Sequence, residues 1–281
     1  MPALTSLSGP SGIQELMDDL GSAMTEHPDM RMLGGGQPAA IPEVQALWRQ
    51  QMKTLLDAGE PFDRMLLNYD PPGGNPLFRE AFAAFLQREC GWNVTRENIA
   101  IMPSSQSAMF TLFNLLGGPK QILFPLMPDY IGYANQALTP GMFTSRLPII
   151  EERGPHEIKY RMDVENLGLH SGLGGIALSC PTNPTGNVIT NDEFCHLRDF
   201  AVKHGVPLML DCAYGYPFPN VVYTGFKPRW EPGLVFSISM SKIGLPGVRN
   251  AVVVADPATV KALSNTNAIM ALSNGNVGQT L

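Results

Sequence analysis

The chain has 281 residues, 44% of them apolar, with 25 acidic against 19 basic side chains and a net charge of −6. That length suits one large domain or two ordinary ones, and the acidic balance excludes a nucleic-acid binder, which would show a basic face. Charged residues make up only 16%, well below the usual quarter, which fits a large buried core and a large subunit interface.

Residues 1–41 read as an N-terminal arm. The opening "MPALTSLSGPSGIQELMDDL" has no basic stretch followed by an apolar one, so it is not a signal peptide. No apolar run reaches the ~18 residues of a membrane span, and a cytoplasmic protein with no membrane partner is expected. "PEVQALWRQQMKTLLDAG" (42–59) has helical periodicity with Pro at its start and Gly behind it. "PLFREAFAAFLQREC" (76–90) is a second helix, closed by Gly91. "NIAIMPS" (98–104) is a short strand that feeds the helix "SQSAMFTLFNLLGG". "QILFPLMPDY" (121–130) is strand then loop, and "GGIALSCPTNPTG" (174–186) is strand then turn. "TNDEFCHLRDFAVKHG" (190–205) is a helix with a Thr190-x-x-Glu193 capping box and a closing Gly205. Strands follow at 206–214, 233–242 and 250–256. Cysteines at 90, 180, 195 and 212 make no C-x-x-C pair and no zinc spacing. They read as buried, reduced thiols, with no metal site expected.

The strands are continuous apolar runs, as in a sheet covered by helices on both faces. Strand-helix-strand order implies mostly parallel pairing. Ligands of such sheets bind outside the carboxyl ends of the strands, so the residues just after each run are the candidates. Ser104, Ser105 and Gln106 open a helix, where free N–H groups and hydroxyls make an anion site or an ordinary cap. Tyr130 is either a plate for a planar ligand or loop packing. Asn183, in the rigid Pro-Thr-Asn-Pro-Thr-Gly turn, is a stiffly mounted amide or part of a plain turn. Asp211 ends five apolar residues, with Tyr214 three positions on. A carboxylate that deep needs a partner, and a cationic ligand atom is one. Ser239 and Lys242 close the next run, and Arg249 follows a Gly-Leu-Pro-Gly turn. Lys242 either snorkels to water or is held dry for imine chemistry. Taken together these groups suit a phosphorylated, planar, basic heterocycle bearing an aldehyde, that is, pyridoxal 5′-phosphate.

The order Ser-Ser-Gln, Tyr, Asn-Pro-Thr-Gly, Asp-x-x-Tyr, Ser-x-Ser-Lys…Arg resembles the fold-type I pyridoxal-phosphate aminotransferases of class I/II over essentially the whole chain. "LGGGQPAAIP", "NYDPPGG", "FPLMPDYIGYA", "CPTNPTGNVIT", "AYGYPFP" and "SMSKIGLPGVR" are similar to the valine–pyruvate aminotransferase group. The resemblance implies a three-layer α/β/α large domain over 42–281, with a C-terminal small domain missing. It implies that Lys242 is the Schiff-base lysine and proton shuttle. Asp211 would keep the pyridine nitrogen protonated, and Asn183 and Tyr214 would bond the phenolic oxygen. Tyr130 would stack on the ring. Ser105, Gln106, Ser239 and Arg249, with Ser104 beside them, would hold the phosphate. Tyr69 would reach the phosphate of a partner subunit in a homodimer with shared active sites. Gly36 and Asn183 would lie by the substrate. The interval from Lys242 to Arg249 is seven residues, where the class I pattern has eight. The arginine that binds the substrate carboxylate has no counterpart here. The implied activity is amino transfer between a valine- or alanine-type amino acid and a pyruvate-type 2-oxo acid, by ping-pong half-reactions in amino-acid biosynthesis. A β-eliminating C–S lyase and an inactive, truncated cofactor-binding protein remain the alternatives.

Overall fold

Alternation within the apolar runs decides the architecture. The computed structural model describes residues 9–27, 29, 37–218 and 224–281. Its central sheet holds β1 (Ile99–Met102), β2 (Ile122–Phe124), β3 (Phe143–Ser145), β6 (Gly175–Ser179), β7 (Leu208–Asp211), β8 (Leu234–Ser239) and β9 (Ala251–Val254), while β4 (Ile149–Gly154) and β5 (Glu157–Arg161) form a separate hairpin. Successive strand residues point to opposite faces. Ile99, Ile101, Leu208, Leu210 and Phe236 join a core against α4 (Pro76–Cys90) and α6 (Asn191–His204). Ala100, Met102, Met209 and Val235 join a second core against α5 (Ser105–Leu116) and α7 (Pro257–Ala271). Both faces are therefore covered, and the three-layer α/β/α expectation holds.

The strand order is β1-β9-β8-β7-β6-β2-β3. β2, β3, β6, β7 and β8 pair in parallel, while β9 runs antiparallel to both of its neighbours, β1 and β8. Because β9 is reversed, its first residue arrives at the edge where its neighbours end. Ala251 stands opposite Met102 on one side and Ser239 on the other. The residues after β1 and β8 and those before β9 thus share one edge.

The helix ends follow the residues that dictate them. Gly91 and Gly205 take left-handed conformations just past α4 and α6, the geometry that stops a helix without a Cβ penalty. Thr190 and Glu193 form the expected capping box. Around 42–59 the structure differs from the sequence reading. α2 (Pro42–Asp57) ends earlier, and Gly59 caps a new helix, α3 (Glu60–Leu67). α1 (Gly12–Glu26), α8 (Val277–Thr280) and the β4–β5 hairpin are additions to the elements read from the sequence. The thiols also depart from expectation: Cys180 and Cys212 are buried, but Cys90 and Cys195 are partly exposed. No helix among the described residues is long and apolar enough to cross a membrane.

Candidate active site

The carboxyl ends of β7 and β6 carry the polar centre. Asp211 closes β7, 5% exposed. Its Oδ2 accepts the Tyr133 hydroxyl at 2.7 Å and its Oδ1 the Ala213 N–H at 3.1 Å. Burial pushes its carboxyl up to about 6, against the pull of the Tyr133 bond. Tyr133 is raised well above the ordinary phenol value, first by burial and then by the Asp211 charge, so it stays a donor.

Asn183 and Tyr214 meet: the Asn183 Nδ2 donates to the Tyr214 hydroxyl at 2.7 Å. The Lys242 ammonium lies 5.2 Å from the centroid of the Tyr214 ring. Lys242 is half-buried, and desolvation lowers its pKa, which increases the share of neutral, nucleophilic amine. The turn of 3-10 helix at Ser241–Ile243 holds it just beyond β8, where Ser239 Oγ accepts the Ser241 N–H at 3.1 Å.

The neighbouring edge has the character of an anion cradle. Ser104 caps α5 through a reciprocal bond with Ser107, so its side chain is already engaged as a cap. Ser105 is different: at 7% exposure its Oγ is buried without a hydrogen-bond partner. That hydroxyl sits in the first turn of a 12-residue helix, where N–H groups and dipole both favour an anion. Gln106 ties this turn to the loop after β2, its Nε2 donating to Gly132 O at 3.0 Å. Tyr130 in that loop is close enough to Tyr214, Asp211 and Arg249 to be influenced electrostatically by them, so the structure brings it into the same cluster. Arg249 takes a left-handed conformation, φ 51°, costly for a residue with a Cβ. The strain directs the chain from the turn into the reversed strand β9. Tyr69 is 79% exposed beyond the end of α3 and is not drawn into this cluster. Gly36 lies outside the described residues.

Three participants escape a reading of the sequence. Asp129 is buried, 8% exposed, and bonded to Ser179 at the end of β6. Tyr133 is the hydroxyl partner of Asp211. Gly132 is required by space: a Cβ there would stand 2.3 Å from Tyr130 Cε1 and 2.9 Å from Gln106 Oε1. A signal does exist for Tyr133, which lies three residues after the plate, one turn of helix away.

A family model for aminotransferase class I and II matches residues 43–280. The chain belongs to this family. Class I and II aminotransferases depend on pyridoxal phosphate, and the orphaned Ser105 hydroxyl at a helix N-terminus and the buried Asp211 carboxylate fit that group. The chain is 41% identical over 277 residues to the valine–pyruvate aminotransferase of Escherichia coli K12, an alignment covering 96% of this chain and 66% of the relative. The solved valine–pyruvate aminotransferase of Salmonella typhimurium LT2 superposes with a TM-score of 0.84 at 40% identity, covering 96% of this chain and 67% of that one. The aspartate aminotransferase of Thermus thermophilus with maleate shares the fold, with a TM-score of 0.79 at 21% identity over 100% of this chain and 72% of that one. The chain thus spans about two thirds of the length of the aminotransferases it matches.

Gly132→Ala tests whether Tyr130 covers the cofactor ring, as the resemblance implies. The added methyl must displace the Tyr130 ring. Pyridoxal-phosphate affinity is expected to fall about tenfold, the scale of one aromatic stacking contact. Titration of the apoprotein with cofactor measures it, and unchanged affinity would show that Tyr130 does not carry the ring.

Proposed function

We propose that the chain forms the cofactor-binding large domain, residues 42–281 preceded by an arm over 1–41, of a cytoplasmic aminotransferase of amino-acid biosynthesis. It would move an amino group between a valine- or alanine-type amino acid and a pyruvate-type 2-oxo acid. The observation that carries this reading is the juxtaposition of Lys242, Tyr214 and Asn183 beside a buried Asp211. The choice of substrates rests on the valine–pyruvate relatives.

When bound, the cofactor's ring supplies an electron sink for the substrate carbon that gives up its proton. The chain's residues do the rest. Asp211 keeps a proton on the ring nitrogen, and the neutral-phenol Tyr133 holds that carboxylate in place. Asn183 and Tyr214 would bond the phenolic oxygen, and Asn183 would border the substrate; the same role for Gly36 rests on the sequence resemblance alone. Tyr130 covers the ring face and excludes water. Ser105, Gln106, Ser239 and Arg249, with Ser104 as the helix cap, hold the phosphate. Lys242, whose pKa is lowered by burial, would attach the cofactor and then move the substrate proton as general base and acid.

A homodimer accompanies this reading. α2 buries none of its residues, and Leu66, Leu67, Tyr69 and Leu77 are 57–80% exposed. An apolar surface of that kind calls for a partner, and the exposed Tyr69 would be the residue that reaches the partner's phosphate.

Adding valine to the chain loaded with pyridoxal phosphate is expected to bleach the visible band, and pyruvate to restore it. Sustained pyruvate release from cysteine with no acceptor present would instead establish an eliminating lyase.

A further inference from the structure

The loop after β2 and the turn after β6 meet at one buried carboxylate. Asp129 Oδ1 accepts the Tyr130 N–H at 2.7 Å and also the Ser179 hydroxyl, while Oδ2 accepts the Ser179 N–H at 3.0 Å. Ser179 Oγ in turn accepts the Asn183 N–H at 3.3 Å. The path continues from Asn183 to the Tyr214 hydroxyl, whose ring lies beneath Lys242. We infer that Asp129 is a positioning residue: one buried carboxylate joins the Tyr130 plate to the Asn183 turn, and so sets the ring's face contact and its phenolic-oxygen contact together. The inference rests on the cofactor reading given above for Tyr130 and Asn183.

The chemistry calls for an ionised carboxylate at this place. Three donors converge on it, and only a group that is all acceptor satisfies them. An amide of the same shape would turn an NH2 against an N–H donor and leave a buried donor unmet, a costly arrangement. Asp129 is expensive to keep. Burial pushes its carboxyl up to about 6, and the like charge of Asp211 adds to the rise. The other groups facing it are Tyr130, Tyr133 and Cys180, none of them a cation. A plain packing role would be filled more cheaply by a well-packed apolar side chain, so the retained charge marks work done on its neighbours.

The test is Asp129→Asn in the full chain, read by cofactor titration and by the midpoint pH of the bound cofactor's visible band. Donors on the phenolic oxygen draw charge from it and weaken its hold on the adjacent proton. Releasing Asn183 should therefore raise the midpoint, by about half a pH unit, and weaken cofactor binding about tenfold. A role confined to packing would leave the midpoint where it was, whatever the change in melting. Ser179→Ala removes the hydroxyl bridge but keeps the Ser179 N–H bond, so it provides a milder second variant with a smaller rise expected. An unchanged midpoint in Asp129→Asn, or in Ser179→Ala should the first variant not fold, overturns the inference. Asn183→Ala separates the two levels. If it raises the midpoint while the Asp129 variant does not, only the positioning role fails; if it too leaves the midpoint unmoved, the reading of Asn183 fails first.

Discussion

Lys242→Ala is expected to lower turnover by about 10³-fold or more and to leave no cofactor fixed to the chain after borohydride reduction. On the proposed role two functions would be lost at once: the amine that attaches the cofactor, and the base that moves the substrate proton, the second alone contributing about 10²–10⁴-fold. The half-buried amine with its lowered pKa beside the Tyr214 ring is what a nucleophilic lysine requires. Lys242→Arg sharpens the test. It keeps the cation over the ring but is never a neutral nucleophile, so it should be as inactive as alanine. Mass spectrometry of the reduced, digested protein reads attachment, and single-turnover absorbance reads the proton step. Reducible cofactor at the wild-type level in Lys242→Ala would remove Lys242 from its role.

The reason Lys242 is legible in the sequence is depth. Six residues of β8 are buried, and a lysine three positions past Ser239 has little distance in which to leave. Asp211 is legible for the same reason. What the sequence could not supply is lateral order. Along the chain no partner stands close to Asp211, whereas its neighbours in space, Tyr133 and Asp129, come from the loop after β2. That strand lies next to β6 in the sheet and not next to β7. Arg249 is marked in the sequence by its spacing and by the Gly-Leu-Pro-Gly turn before it. The physical cause of its position is the reversed β9, which returns the chain to the edge that β8 has just left. The division between Ser104 and Ser105 is equally hidden. Both hydroxyls open the same helix, and only the capping geometry shows that one is engaged and the other is buried without a partner. The β4–β5 hairpin leaves no such mark because β4 is exposed along its whole length, so burial imposes no alternation on its sequence.

Asp211→Asn separates the demands of function from those of stability. For function, on the role proposed for Asp211, the variant loses the negative charge that would keep a proton on the cofactor's ring nitrogen. Turnover is expected to fall about 10²–10³-fold, the scale of losing one preorganised electrostatic partner in a water-excluded site. For stability of the apoprotein the sign is opposite. The Asp211 carboxyl titrates at about 6 in the folded chain against the ordinary aspartate value of 3.8. The folded state therefore holds the proton more tightly than the unfolded one. The stabilisation this gives is complete below about 3.8 and disappears as pH rises through about 6. Above that, the wild type carries a buried charge at this position, while the asparagine variant carries none. The melting temperature of the apo variant, minus that of the wild type, should accordingly grow between pH 4 and pH 7 and then level off. Asp129 is raised by burial and in part by the charge of Asp211, so losing that charge in the variant eases its own titration and adds to the growth of the difference over the same range. Adding pyridoxal phosphate at pH 7.5 should then reverse the ranking, because the ring's cation offsets the charge in the wild type and finds no counterpart in the variant. Differential scanning calorimetry with and without cofactor reads the melting differences, and steady-state transamination rates read the turnover. A melting difference that does not change with pH would show that Asp211 is not strained by burial, and one that does not reverse with cofactor would show that its charge does not face the ring nitrogen.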